Sequence, residues 1–140
     1  MKTYSLNEHT CLLGGIPLEE DIRSISAAPV GPRFTFVSGV DGTTTMSENK
    51  GNDNHNLKIK VGYGSKENAV ISAVYQAARK SGAGNAGIVP FVLKDRQGTS
   101  VLVTLECIPI GWPDVERAPE SGEIEWSFFL VQPERFEGGL

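Results

Sequence analysis

The chain has 140 residues, of which 39% are hydrophobic, 16 are glycine and 8 are proline, a turn-rich composition that favours one domain of short strands over a helical bundle. Its formal net charge of −4 argues against a nucleic-acid-binding protein, because such proteins carry a basic patch. It contains neither the apolar core of a signal peptide nor a membrane-spanning apolar run, so we expect synthesis in the cytoplasm and no membrane insertion.

The N-terminal third alternates between strand-like and turn-like segments. Residues 9–18 are predicted to form a strand broken by glycines, and residues 27–32 a loop containing two prolines. Residues 33–39 alternate as a strand does, and Asp41–Gly42 is a hairpin turn signal that leads to a return strand at residues 43–46.

A polar segment follows the hairpin signal. Residues 47–56 carry no apolar side chain, so the segment cannot contribute to a hydrophobic core. We therefore predict that residues 43–56 form a polar surface loop, either solvated or used as a contact surface.

The middle of the chain has the clearest periodicity. Residues 57–63 alternate strictly, which places Leu57, Ile59, Val61 and Tyr63 toward a core and Lys58 and Lys60 away from it. The period then becomes helical over residues 65–81, with Ser65 as the N-cap. The helix residues expected to pack against the sheet are Val70, Ile71, Val74 and Tyr75.

Three further strands are predicted, at residues 88–94, 100–110 and 123–131, and residues 133–140 are expected to be a C-terminal tail. The count is then about six to seven strands and one helix. The predicted fold class is mainly β: residues 1–140 form a single antiparallel sandwich or barrel-like domain with one flanking α-helix, at about residues 65–81.

No residue pattern indicates catalysis, a cofactor or a metal. Residues 82–87 spell G-x-G-x-x-G, but a helix precedes them and a strand follows, the reverse of a dinucleotide-binding turn. His9 and His55 have no second ligand at metal-binding spacing, and Cys11 and Cys107 are in apolar surroundings typical of small buried residues. We therefore predict that the protein is not an enzyme.

The order of the elements and several short motifs resemble the tail-tube proteins of contractile-tailed bacteriophages, a small family of phage structural proteins. The type VI secretion tube protein shares the family's architecture. The resemblance covers about residues 10–132, and its motifs are Leu13-Gly14-Gly15-Ile16, Gly39-Val40-Asp41-Gly42, Ser65-Lys66-Glu67-Asn68, Lys94-Asp95-Arg96-Gln97-Gly98 and Glu125-Trp126-Ser127-Phe128.

The resemblance implies a virion protein that assembles with itself into hexameric rings. These rings stack into the inner tube of a contractile tail, a conduit for DNA ejection. The implied partners are further copies of the chain, the tail sheath, the baseplate, tail-terminator proteins and DNA in transient, non-specific passage. No cofactor is implied, and the expected location is the virion tail, after assembly in the bacterial host cytoplasm.

Two sets of polar residues are candidates for contacts in such an assembly. The polar loop at residues 43–56 and the C-terminal residues Glu137-Gly138-Gly139-Leu140 are expected to mediate stacking between rings. The candidates in the loop are Glu48, Asn49, Lys50, Asn52, Asp53 and Asn54. Residues on the outward faces of two strands are candidates for facing the lumen or a neighbouring subunit, namely Lys58, Lys60, Glu123 and Glu125.

A second interpretation belongs to a different functional class. The same composition suits a small monomeric β-barrel module that binds carbohydrate or protein, with Trp112 as a candidate contact, although an aromatic residue beside Gly111 and Pro113 is more often a strand-end plug. Long hollow tubes seen by electron microscopy would decide for the tube subunit.

Overall fold

The computed structural model describes residues 9–81, 88–95, 99–115 and 122–138. These residues form ten strands and one α-helix, so the predicted fold class is confirmed, while the strand count is higher than the six to seven expected. The predicted G-x-G-x-x-G segment, residues 96–98 of the predicted turn and the last two residues of the tail lie outside the described residues.

Eight of the strands belong to one sheet, and every pairing in it is antiparallel. The elements are β1 His9–Leu13, β2 Ile16–Pro17, β3 Ile22–Pro29, β4 Phe34–Ser38, β5 Thr44–Glu48, β6 His55–Gly62, α1 Glu67–Ser81, β7 Val89–Asp95, β8 Val101–Gly111, β9 Glu123–Leu130 and β10 Glu134–Phe136. The order across the large sheet is β2-β1-β7-β8-β9-β6-β3, and β10 pairs with β8. Strands β4 and β5 form a separate two-stranded sheet.

The core lies on one face of the large sheet, because alternate residues of each long strand point to the same side. The prediction for β6 is confirmed for Leu57, Ile59 and Val61, each fully buried. Strand β9 contributes four more buried residues, Ile124, Trp126, Phe128 and Leu130. These side chains form one cluster with residues of β1, β7, β8 and α1, so the sheet and the helix share a single core.

Helix α1 begins at Glu67, two residues later than the periodicity predicts. Ser65 still serves as its cap, because its Oγ accepts a hydrogen bond from the Glu67 N–H at 3.2 Å and donates one to the Glu20 carbonyl at 2.6 Å. Ile71 and Tyr75 are buried in the core. The other two expected packing residues, Val70 and Val74, are partly buried against the same cluster.

The N-terminal region contains more strand than the sequence pattern indicates. Residues 9–18 are two paired strands, β1 and β2, joined at Gly14 and Gly15, which both have positive φ angles. The loop predicted at residues 27–32 starts only after Pro29, since β3 continues to that residue. Pro29 ends a strand at the sheet edge, where proline can be accommodated.

The segment 43–56, predicted as a polar surface loop, contains regular structure. It includes β5, a 3₁₀ turn at Lys50–Asp53 and the start of β6 at His55, which is buried. The expected tail likewise contains β10, which pairs with β8. Backbone hydrogen bonds stabilise these short polar strands with little apolar burial, so hydrophobic periodicity does not reveal them.

Glu67 is a buried carboxylate at the start of α1. Only 4% of the residue is exposed, and its Oε2 has no hydrogen-bond partner within the described part of the chain. Burial raises the pKa of Glu67, and the nearby Glu20 and Glu19 carboxylates add to the shift, while Lys66 and the backbone N–H of Glu19 oppose it.

We expect Glu67→Gln to stabilise the protein by about 1 kcal/mol at pH 8, because it removes a buried charge and keeps an oxygen for the Glu19 N–H. Since the folded pKa lies above the ordinary value of 4.5, the folded state holds the proton longer than the unfolded state. Stability therefore falls as the pH rises from about 4.5 through the folded pKa of Glu67, and the Glu67→Gln protein should not show this fall. Urea unfolding from pH 4 to 8 measures the pH dependence of stability, with exposed Glu134→Gln as the control. Equal pH profiles for the wild type and Glu67→Gln would contradict the prediction.

Candidate assembly surfaces

Strands β4 and β5 form an arm, residues 34–48, that pairs with no other strand of the described chain. Phe34 pairs with Glu48 and Phe36 with Met46. The turn is closed by the Asp41 carboxylate, which accepts hydrogen bonds from the Thr43 N–H at 3.0 Å and the Thr43 hydroxyl at 2.9 Å. These bonds lower the pKa of Asp41, so the tip of the arm carries a carboxylate that is charged at neutral pH.

The arm exposes apolar side chains. Its five large apolar residues are at least 44% exposed, and they are Phe34, Phe36, Val37, Val40 and Met46. A two-stranded hairpin alone is marginally stable in water. Phe36 and its cross-strand partner Met46 expose neighbouring apolar side chains, and exposed apolar surface of this kind commonly marks an interaction site. The arm is therefore the part of the described chain with the clearest need for a partner.

The base of the arm is fixed by polar contacts to the rest of the domain. The Arg33 guanidinium donates to Glu48 Oε1 at 2.8 Å and to Asp53 Oδ2 at 2.5 Å. Gln132 joins the base to the end of β9, because its backbone N–H donates to Asn54 Oδ1 at 2.9 Å and its Nε2 donates to the Lys50 carbonyl at 2.7 Å. These contacts set the direction in which the arm leaves the sheet.

Most of the predicted stacking residues lie in this base. Glu48 and Asp53 bind Arg33, and Asn54 binds Gln132. Asn49 Oδ1 accepts from the Gly51 N–H at 3.1 Å, and Asn52 Nδ2 donates to the Pro32 carbonyl at 2.8 Å. The side chains of these predicted stacking residues therefore form hydrogen bonds within the chain, and Lys50 alone takes part through its backbone carbonyl. A direct role in stacking stays a prediction.

The four residues predicted to face the lumen or a neighbour do lie close together. Lys58 and Lys60 of β6 are beside Glu123 and Glu125 of β9, with N–O distances of 3.8 to 3.9 Å, and Arg23 of β3 lies 3.9 Å from Glu123. We call these five residues the charged strip. Its cations and carboxylates are partly exposed, and such pairs stabilise a fold little, so the strip is better suited to meeting solvent or another molecule.

The large sheet ends on β3, an eight-residue strand with no second strand partner in the described chain. The opposite side ends on β2, which has only two residues. Unpaired strand edges offer backbone donors and acceptors to another chain. The edge at β3 is therefore a second surface that offers pairing to another chain.

An aromatic groove of about 300 Å³ lies between α1 and the ends of β6, β8 and β9. Its lining residues are Tyr63, Asn68, Ser72, Trp112, Pro113, Val115, Ile124 and Trp126. Trp112, the residue predicted as a possible ligand contact, is half-exposed and its ring lies 5.3 Å from that of Tyr75. The Trp126 Nε1–H donates to Asn68 Oδ1 at 3.0 Å and orients the amide in the groove wall.

The described residues contain no group of three or more His, Cys, Asp or Glu residues placed to hold a metal ion. Cys11 and Cys107 are buried and unbonded, as the sequence predicted, and burial raises the pKa of each thiol to about 12, which leaves both protonated at neutral pH. Over the same residues, the structure contains no helix with the length and apolarity to cross a membrane.

The chain matches no family model and no curated protein sequence. Its fold is similar to that of the sheath/tube terminator of the extracellular contractile injection system PVC in the extended state, with a TM-score of 0.66 and 9% identity over 98% of this chain and 99% of that chain. The anti-feeding prophage tube-terminating cap gives 0.63 and 10% identity over 97% and 92%. A chain of the extended PVC sheath–tube complex gives 0.63 and 9% over 96% and 91%.

Proposed function

We propose that this chain is a structural subunit of the inner tube of a contractile phage tail or a phage-derived injection device. The observation that carries the proposal is the similarity of the whole fold, over 96% or more of this chain, to components of contractile injection systems. The order of elements and the short motifs of the sequence support the same assignment independently.

The surfaces of the domain are consistent with self-assembly into hexameric rings. A ring closes through heterologous contacts, in which one surface of a copy binds a different surface of the next. The exposed edge at β3 can pair with a neighbouring copy, and the arm can cross to another copy. Both contacts would remove features that leave a lone monomer prone to aggregation.

In this proposal the charged strip faces the lumen or the next subunit. Its three cations, Arg23, Lys58 and Lys60, lie beside the carboxylates of Glu123 and Glu125, so they are already paired and bind passing DNA weakly. The tail sheath surrounds the tube, and the baseplate and terminator cap its ends. The subunit itself performs no catalysis, and it reaches the virion tail after assembly in the host cytoplasm.

A second candidate is the terminator that closes the tube. Two of the similar solved structures are described as a sheath/tube terminator and a tube-terminating cap, which favours this role specifically. A tube subunit forms long stacks of rings, whereas a terminator alone stops at one or a few rings. The binding-module alternative has the aromatic groove in its favour, and it predicts a protein that stays monomeric.

We expect the purified protein to form hollow tubes of stacked rings at high concentration, as seen by negative-stain electron microscopy. Light scattering along a dilution series follows the same assembly, because repeated weak contacts give a steep dependence on concentration. Short single rings would favour the terminator. A monomer at every concentration, together with binding to a carbohydrate array, would contradict assembly and support the binding module.

A further inference from the structure

The turn at the tip of the arm contains Asp41–Gly42, the one position in the sequence at which aspartate or asparagine precedes glycine. Glycine has no side chain to shield its backbone nitrogen. That nitrogen can therefore attack the Asp41 carboxyl carbon and close a five-membered ring. Val40, the residue before the pair, is fully exposed, so water has access to the turn.

The reaction conserves atoms and involves no oxidation. The Gly42 nitrogen forms a bond to Asp41 Cγ, and the protonated carboxyl loses its hydroxyl, which leaves as water with the proton of the Gly42 N–H. Water then opens the cyclic imide. Breaking the Cγ–N bond returns Asp41, whereas breaking the bond between the main-chain carbonyl carbon of Asp41 and the Gly42 nitrogen leaves isoaspartate, in which the main chain runs through Cγ.

The folded turn opposes this reaction at both reacting groups. Asp41 Oδ1 accepts from the Thr43 N–H at 3.0 Å, and Asp41 Oδ2 accepts from the Thr43 hydroxyl at 2.9 Å. These bonds, the backbone one most strongly, lower the pKa of Asp41 and so disfavour the neutral carboxyl that the attack requires. The nucleophile is held as well, because the Gly42 N–H donates to the Gly39 carbonyl at 3.1 Å.

We propose that Asp41–Gly42 is a site of isoaspartate formation and that Thr43 restrains the reaction while the turn is intact. Thr43 binds the carboxylate through two donors. Its carbonyl also accepts the Gly39 N–H at 2.7 Å, which closes the turn around the reacting pair. The inference is independent of the proposed tube function, since it concerns the turn of a single copy.

Isoaspartate formation would alter the arm as well as the residue. It inserts one carbon atom, Cβ of Asp41, into the main chain and transfers the free carboxylate to Cα. The turn between Ser38 and Thr44, which are directly paired, then contains an extra backbone atom and lacks the side chain that accepts both Thr43 bonds. We therefore expect the pairing of β4 with β5 to weaken next to the turn.

Incorporation of heavy oxygen measures the reaction. The full chain is incubated at neutral pH in water enriched in heavy oxygen, and each passage through the imide adds one heavy oxygen atom. Trypsin cuts after Arg33 and Lys50 and releases residues 34–50 for mass spectrometry, and chromatography separates the aspartate and isoaspartate forms. We expect incorporation to be about tenfold slower in the folded wild type than in the same chain unfolded in guanidinium chloride, since one pKa unit changes the neutral fraction tenfold.

Three variants test the role of Thr43. Thr43→Val removes the hydroxyl and keeps the backbone N–H, and we expect it to react about three- to tenfold faster than the wild type, because the pKa of Asp41 rises when a bond to its carboxylate is lost. Thr43→Ser retains a hydroxyl and should react at the wild-type rate. Thr45→Val makes the same change at the residue paired with Val37 and should also react at the wild-type rate.

Each part of the proposal has an outcome that would overturn it. Absence of isoaspartate from the unfolded chain would show that Asp41–Gly42 is not a reactive site. Equal rates for Thr43→Val and the wild type would remove the restraint by Thr43. A Thr45→Val protein as fast as Thr43→Val would assign the rate to general loosening of the hairpin, which also overturns that restraint. Tube formation is tested separately by electron microscopy, so the two failures are distinguishable.

Discussion

Replacing Trp126 with alanine is expected to lower the free energy of unfolding by about 3 to 5 kcal/mol, the usual cost of removing a large aromatic side chain from a core. Trp126 is only 3% exposed, and its ring is 5.0 Å from that of Tyr75 and 6.1 Å from that of Trp112. Its loss also leaves Asn68 Oδ1 without the indole N–H that binds it. Urea unfolding followed by circular dichroism measures the change.

Trp112 provides a matched control of the same residue type. Its ring contacts Tyr75 and Trp126, but 51% of the residue is exposed. We expect Trp112→Ala to cost about 1 kcal/mol, because surface substitutions leave a smaller cavity. Equal losses of unfolding free energy for the two variants would show that Trp126 does not belong to the buried core.

Under the proposed tube function, shortening the arm is expected to abolish tubes without unfolding the domain, because the arm carries the exposed apolar residues proposed to cross to another copy. Thr35 and Ser47 are directly paired, so residues 36–46 can be replaced by Asn-Gly, a two-residue turn suited to a hairpin. The clamp between Arg33 and Glu48 is retained. Because the arm pairs with no other strand of the described chain, the free energy of unfolding should change by less than about 0.5 kcal/mol.

Electron microscopy and urea unfolding on the same preparation give the two readouts. Phe136→Ser is the control, because Phe136 is 63% exposed and pairs with Val101 of β8 and with no residue of the arm. The control should still form tubes. Normal tubes from the shortened-arm protein would show that stacking uses other surfaces, and a large loss of stability would show that the arm belongs to the folding unit.

This design differs from a deletion of residues 49–54, which the sequence alone suggests as a test of stacking. That segment has no apolar side chain, so it resembles a dispensable surface loop. In the structure it holds Asp53, which binds Arg33, and Asn54, which binds Gln132. Deleting it would release the arm from the domain and would confuse a loss of contact with a loss of local structure.

The parts of the fold that could be predicted are those in which burial follows a strict period. Strand β6 alternates without interruption and α1 keeps a helical period, and both lie close to their predicted positions. Strands β3 and β10 were not predicted, because their residues are mostly exposed or half-buried and their order comes from pairing with β6 and β8. Such pairing partners are distant in sequence and leave no local pattern.

The candidate surfaces also differ in how far they could be predicted from the sequence. The charged strip could be anticipated, since Lys58, Lys60, Glu123 and Glu125 each alternate with core residues; only the register of β6 against β9 shows that they are adjacent. The aromatic groove could not be anticipated, because its walls come from four separate elements. Tyr63, predicted to face the core, is half-buried: it packs against the core cluster and also lines the wall of that groove.

The base and the outer part of the arm place different demands on the sequence. The base is held by Arg33, whose guanidinium binds Glu48 and Asp53, and by Gln132, which binds Asn54. Residues 36–46 pair with no strand outside the arm in the described chain. Substitutions in residues 36–46 can therefore change what the arm binds while the domain that carries it stays the same, so the binding surface and the stability of the fold can evolve separately.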